Sequence, residues 1–196
     1  MKATETKLLT LLQKSDQFTI PIYQRTYSWR QPQCLTLWND IIRCGRDDFI
    51  HSHFLGSIVY VEAEQQQVSV FNKNLVIDGQ QRLTSLLLLL EALARQMVTE
   101  DLIEGLNANK IRGSYLTNPH EKGNDKFKLR LTERDERTLN AIIEDQEIPE
   151  EHSLNIVENF EIFQNLILEE KGDFSNVCRG LGKLMVVDIA LDRNVD

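Results

Sequence analysis

Apolar positions along this chain switch between helical and alternating spacing, and the switches mark the elements. Leu8, Leu9, Leu11 and Leu12 sit at helical spacing and predict a helix over residues 5–14. Phe18 to Tyr23 reads as extended, because Pro21 lacks an N–H donor and biases Ile20 towards β. Pro32 suits the first turn of a helix running to about Cys44, with Leu35, Trp38, Ile41 and Ile42 on its apolar face. Phe54 to Val61 is rich in β-branched and aromatic residues and predicts a strand. Gln67 to Phe71 alternates and is placed to pair with it. Leu75-Val76-Ile77 is a short strand ending at Asp78-Gly79. A helix follows from about Gln80 to Met97, with leucines on nearly every side of its middle, so it should be buried between layers.

The second half is less regular. Gly113, Pro119 and Gly123 among polar residues predict a loop or mobile insertion over residues 107–125. Phe127 to Leu131 alternates like a strand with one wet face. Thr132 then caps a helix from Glu133 to Asp145. Ile156, Phe160, Phe163 and Ile167 stripe a helix over residues 153–171, which Gly172 closes. Leu184 to Leu191 is an apolar strand. With strands early and helices late, the fold class is α+β. The expected division is a core over residues 1–105 and a mainly helical extension with short strands over residues 106–196.

The hydrophobic share of 41% supports a substantial core and argues against disorder. A net charge of −8 excludes DNA binding by the surface as a whole, since phosphate neutralisation drives such binding. Any DNA contact must be local or made by another domain or subunit. A nucleotide site stays open, because it needs only a few backbone amides and one or two arginines. Three cysteines, Cys34, Cys44 and Cys178, show no zinc-ligand spacing and point to a reduced, cytoplasmic setting. The charged stretch after Met1 is not a signal peptide, and the run Leu86 to Leu90 lies in a segment too short to cross a bilayer, so no membrane partner is expected.

The strongest chemical signal is the strand-turn-helix junction Ile77-Asp78-Gly79-Gln80-Gln81-Arg82. A helix N-terminus offers free amides and partial positive charge to phosphate. Gly79 leaves room for a phosphate, and Arg82 can form paired hydrogen bonds to its oxygens. Asp78 can hold Mg2+ or position water. The same residues also read as an N-cap, a turn glycine and a solvated arginine. A second signal is Ile20-Pro21-Ile22-Tyr23-Gln24-Arg25-Thr26-Tyr27-Ser28-Trp29, able to stack on a base and pair with phosphate. Trp29 and Tyr27 read better as core packing, whereas Gln24 and Arg25 have no evident core role. If both signals form one site, the chain must turn after Tyr23, because alternate side chains of an extended segment face opposite ways. His51 and His53 read as loop residues. There is no phosphate-binding Gly-x-x-x-x-Gly-Lys-Ser/Thr loop.

Both signals in order, with Phe54-Leu55-Gly56 between them and Leu83-Thr84-Ser85 after the second, resemble the N-terminal domain of GmrSD-type restriction endonucleases. The resemblance is specific over residues 18–95 and collinear afterwards. It implies a core similar to ParB and sulfiredoxin, where Gly79 and Arg82 occupy a phosphate-binding turn. It implies a domain that binds, and hydrolyses, a nucleoside triphosphate (GTP or another), controlling DNA cleavage by a separate nuclease region in anti-phage defence. The chain is expected to stop before that region. Asp78, Gln81 and Arg82 are the expected catalytic residues, with Asp78 on Mg2+. Tyr23, Gln24, Arg25, Gly79, Gln80, Arg82 and Ser85 are the expected nucleotide contacts, and a homo-oligomer is compatible with the family. The alternative is a sensor of nucleotide or modified DNA that hydrolyses nothing.

Overall fold

Six strands share one mixed sheet in the computed structural model, which describes residues 1–14, 17–62, 71–98 and 100–191. They are Lys2–Lys7 (β1), Gln17–Thr19 (β2), His53–Glu62 (β3), Lys73–Asp78 (β4), Leu129–Arg130 (β5) and Leu184–Leu191 (β6), in the order β1-β6-β3-β4-β2-β5. The helices are Leu8–Lys14 (α1), Gln31–Arg46 (α2), Gln80–Gln96 (α3), Ala108–Ile111 (α4), Glu133–Ile143 (α5), Leu154–Glu169 (α6) and Ser175–Lys183 (α7). The fold is α+β, as the sequence predicts. β6 runs antiparallel to β1 and parallel to β3, so the last strand lies inside the sheet.

Helix α3 is the centre of the core. Leu83, Leu86 to Leu90 and Leu93 are essentially without solvent contact, which explains leucines on all of its sides. It packs on α6, whose buried stripe is Ile156, Phe160, Phe163 and Ile167. A buried carboxylate needs charged partners, and Glu91 of α3 has two. Arg112 binds it through Nε at 3.1 Å and Nη2 at 2.9 Å, and Arg95 through Nε at 3.1 Å. Arg95 also donates to the Ile142 carbonyl, tying α5 to the same helix.

The structure departs from the sequence reading in four places. Residues 5–7 belong to β1 rather than to the first helix, because they pair with β6 through Glu5↔Val187, Thr6↔Val186 and Lys7↔Met185. Residues 107–125 form short helical pieces rather than a loop: α4, whose cap is the Asn107 side chain accepting from the Lys110 amide at 2.8 Å, a π-helical turn over Arg112–Leu116 and a 3₁₀ turn over Gly123–Lys126. Thr132 stands at the N-cap of α5, but its side chain makes no capping hydrogen bond. Helix α7 was not foreseen. The expected strand at Gln67 to Phe71 lies outside the described residues but for Phe71.

Helix α7 exists against poor intrinsic propensity because its glycines admit a neighbour. A Cβ on Gly180 would lie 2.0 Å from the Ile41 carbonyl oxygen of α2, and one on Gly45 of α2 would lie 1.8 Å from that of Asn176. The two helices therefore approach backbone to backbone. Gly182 has open space instead. Gly180→Ala should cost about 1–3 kcal/mol by overpacking, whereas Gly182→Ala should be neutral or slightly stabilising through helix propensity. Thermal or urea unfolding of the two variants checks this; equal stability would show that the close contact is absent.

Candidate functional site

The turn between β4 and α3 is built around Gly79, the N-cap of α3, at φ +101° and ψ 1°. L side chains rarely adopt that conformation. A Cβ there would also lie 2.5 Å from Ile58 Cδ1 and 3.1 Å from the Ser57 carbonyl oxygen. The glycine is thus demanded by left-handed backbone and close packing on β3. The amides of Gln80, Gln81 and Arg82 open the helix and have no intrahelical acceptor, so they carry the partial positive charge of its N-terminus.

The two glutamines turn inward. Gln81 is 7% exposed, and its Oε1 accepts from the Ser28 amide at 2.8 Å and the Trp29 amide at 3.2 Å. Its Nε2 donates to the Thr26 carbonyl at 3.3 Å. Gln80 Nε2 donates to the Arg25 carbonyl at 2.8 Å. Both ends of the Gln81 amide are thus engaged by backbone groups of the Thr26–Trp29 segment. Ser85 is fully buried, and its hydroxyl is bonded to Tyr27 Oη at 2.6 Å.

Arg82 lies over Gly56. A Cβ on that glycine, at φ +115°, would meet Arg82 Nη1 at 2.6 Å and Cζ at 3.0 Å. The pairing of β3 with β6 shifts register between Phe54 and Ser57, and this irregularity forms the seat for the guanidinium. Nη1 donates to the Ser57 carbonyl, while Nη2 stands 3.7 Å from Asp78 Oδ2. The Asp78 side chain is 63% exposed, so this ion pair adds little stability. The seat leaves Arg82 with N–H donors to spare and its side chain 27% exposed.

Tyr23, Gln24 and Arg25 do lie beside this turn. The Gln24 amide donates to the Pro21 carbonyl at 3.0 Å, closing a turn through Ile22 and Tyr23, and Gln24 Nε2 donates to the Ile77 carbonyl at 2.9 Å. Tyr23 is 73% exposed. Arg25 borders a very small cavity with Gln80, Thr84 and Asp135, whereas Arg82 borders a separate cleft with Trp29 and Phe54. The segments are neighbours, but the two arginines face different cavities.

Sequence reasoning missed the partners that hold the Tyr27–Trp29 backbone from the second half of the chain. Asp135 of α5 accepts from the Tyr27 amide at 2.6 Å. Asn155 and Asn159 of α6 donate to the carbonyls of Tyr27 and Trp29, at 3.1 and 2.8 Å, and Asn159 also donates to Tyr27 Oη at 2.9 Å. Their signal was an asparagine, Asn159, beside the apolar stripe of α6. Burial, and then the Cys34 thiol beside it, push the Tyr27 hydroxyl far above its ordinary range, so it stays neutral. Burial likewise raises the Cys34 thiol to about 11. Among the described residues, no group of three or more His, Cys, Asp or Glu lies together. Asp78 is a single carboxylate, so a Mg2+ there would need phosphate and water at its remaining positions.

Gln81→Ala should strip the Ser28 and Trp29 amides of their acceptor and cost about 1–3 kcal/mol. Hydrogen exchange should speed up at those two amides first. Unchanged exchange there would show that the clamp does not hold the segment.

The model of a known family, described as the N-terminal domain of the GmrSD restriction endonuclease, matches residues 8–195. Comparison with curated proteins gives no match. Among the described residues, no helix is long and apolar enough to cross a membrane.

Proposed function

We propose that this chain, which belongs to the family of GmrSD restriction endonuclease N-terminal domains, receives the phosphates of a nucleoside triphosphate at the β4–α3 turn and hydrolyses them to control DNA cleavage by another domain or subunit. The supporting observation is the tethered Arg82. Its guanidinium is seated on Gly56 and fixed by the Ser57 carbonyl, beside the first turn of α3. A cation already held in place loses little freedom when it binds an anion. The amides of Gln80 to Arg82 supply the remaining donors. A likeness of the core to ParB and sulfiredoxin belongs to the same proposal, as does a cytoplasmic setting, which the three free cysteines suit.

Four residues have roles in this reading. Arg82 neutralises charge that builds on the phosphate oxygens as the terminal P–O bond breaks. Asp78 would hold Mg2+, which when bound supplies further charge to the phosphates, or orient the attacking water. Gln80 and Gln81 bind phosphate only through their backbone amides, since their side chains keep the Tyr23–Trp29 segment in place. That commitment of Gln81 favours a second reading, a domain that senses nucleotide without hydrolysing it. Phosphate release from GTP and the other triphosphates by the purified protein separates the two: turnover supports the first, and binding without turnover the second.

Arg82→Ala should weaken triphosphate binding by about 1.5–3 kcal/mol, the scale of a lost charge-assisted hydrogen bond. Titration calorimetry on the folded variant measures this, and an unchanged affinity would remove Arg82 from the site. Binding of unmodified duplex DNA by this domain at physiological salt should be weak, given the net charge of −8. Tight, sequence-independent gel shifts would reveal a basic face.

A further inference from the structure

We infer that the cleft bordered by Arg82 takes the base of the nucleotide. This inference rests on the nucleotide reading above and deepens it. The β4–α3 turn offers donors for phosphate but no flat surface, whereas the adjoining cleft offers both aromatic faces and polar edges. Its volume is about 360 Å³, within the range of roughly 300–1,000 Å³ found for small-molecule sites. It lies between the first turns of α2 and the start of β3, with Arg82 at its border on α3. A ligand spanning Arg82 and this cleft would place phosphate and base on the two sides of one guanidinium.

The lining has what a flat, hydrogen-bonding ring requires. Trp29 and Phe54 both border the cleft, and Phe54 is 60% exposed, so its ring has little part in the core. Aromatic side chains in such positions stack on bases without regard to their identity. The polar side carries a network of side chains. Asp40 Oδ1 accepts from Arg43 Nη2 at 3.1 Å, and Asp40 Oδ2 lies 3.2 Å from His53 Nε2. Arg43 Nη2 also stands 3.3 Å from His53 Nδ1. The guanidinium can only donate, so Nδ1 accepts and the imidazole hydrogen sits on Nε2, directed at Asp40. Each Asp40 oxygen keeps accepting capacity. An acceptor carboxylate in a cleft with aromatic faces suits the N–H groups on the edge of a nucleobase.

The test compares two probes, the nucleoside triphosphates of the four bases and inorganic tripolyphosphate, titrated with magnesium into the wild-type protein, Phe54→Ala and Asp40→Asn. Phe54→Ala should weaken triphosphate binding about tenfold, the scale of one lost base–aromatic stack, and leave tripolyphosphate binding unchanged. Asp40→Asn, which replaces an acceptor oxygen by a donor, should alter the order of preference among the bases and not the tripolyphosphate affinity. Wild-type nucleotide affinity and base order in both variants would place the base elsewhere and overturn the inference while the phosphate site stands. An equal loss for both probes in folded Phe54→Ala would overturn it too, as a general structural effect. If wild-type protein binds neither probe, the phosphate reading fails, and the inference with it.

Discussion

Partly buried backbone outside helices and strands must find hydrogen-bond partners elsewhere, and in this protein the Arg25–Trp29 segment, anchored by the buried Tyr27, imposes that constraint. Its amides and carbonyls are met by Gln80 and Gln81 of α3, Asp135 of α5 and Asn155 and Asn159 of α6. Three helices distant in sequence are thereby fixed to one segment, and the first turn of α3 is fixed with them. Leaving the buried Tyr27 amide unpaired would cost about 1–3 kcal/mol. The arrangement thus holds the β4–α3 turn still.

The same constraint sorts the residues of the Asp78–Arg82 run by role. The two glutamine side chains point into the protein and are spent on structure. The Asp78 side chain is exposed and that of Arg82 partly so. Arg82 is held by β3 rather than by the segment before α2: Gly56 makes room for it and Ser57 binds it. Phe54-Leu55-Gly56 and Asp78-to-Arg82, separated along the chain, are therefore two parts of one device. An acidic protein can in this way present a local, preorganised positive site while its overall field repels polyanions.

Much of the fold is written in local periodicity. Helix α3, strands β3, β4 and β6 and helix α6 each bury a continuous face, so their patterns survive in the sequence. β1 does not, because Lys2 to Lys7 is a polar edge strand whose formation depends on β6 at the other end of the chain. α7 was hidden by glycines that look like helix breakers, one of which, Gly180, is the contact point for α2. In the site, the Asp78–Arg82 junction was legible as a strand-turn-helix boundary with a cation in its first turn. The inward turn of Gln81 and the burial of Ser85 were not, since helix phase at an N-terminus is set by tertiary packing. The Asp40–His53–Arg43 network joins residues from α2 and the start of β3, and no spacing in the sequence announces it.

The central claim is that the backbone amides of the α3 N-terminus and Arg82 form the phosphate site, with the glutamine side chains serving only to hold it. Amide chemical shifts on adding a nucleoside triphosphate and magnesium test it most directly. The account predicts the largest shifts at the backbone amides of Gly79 to Arg82 and at the Arg82 side chain, with the Gln80 and Gln81 side-chain amide signals nearly unmoved. Saturable binding that leaves those backbone amides in place and moves another surface would contradict it.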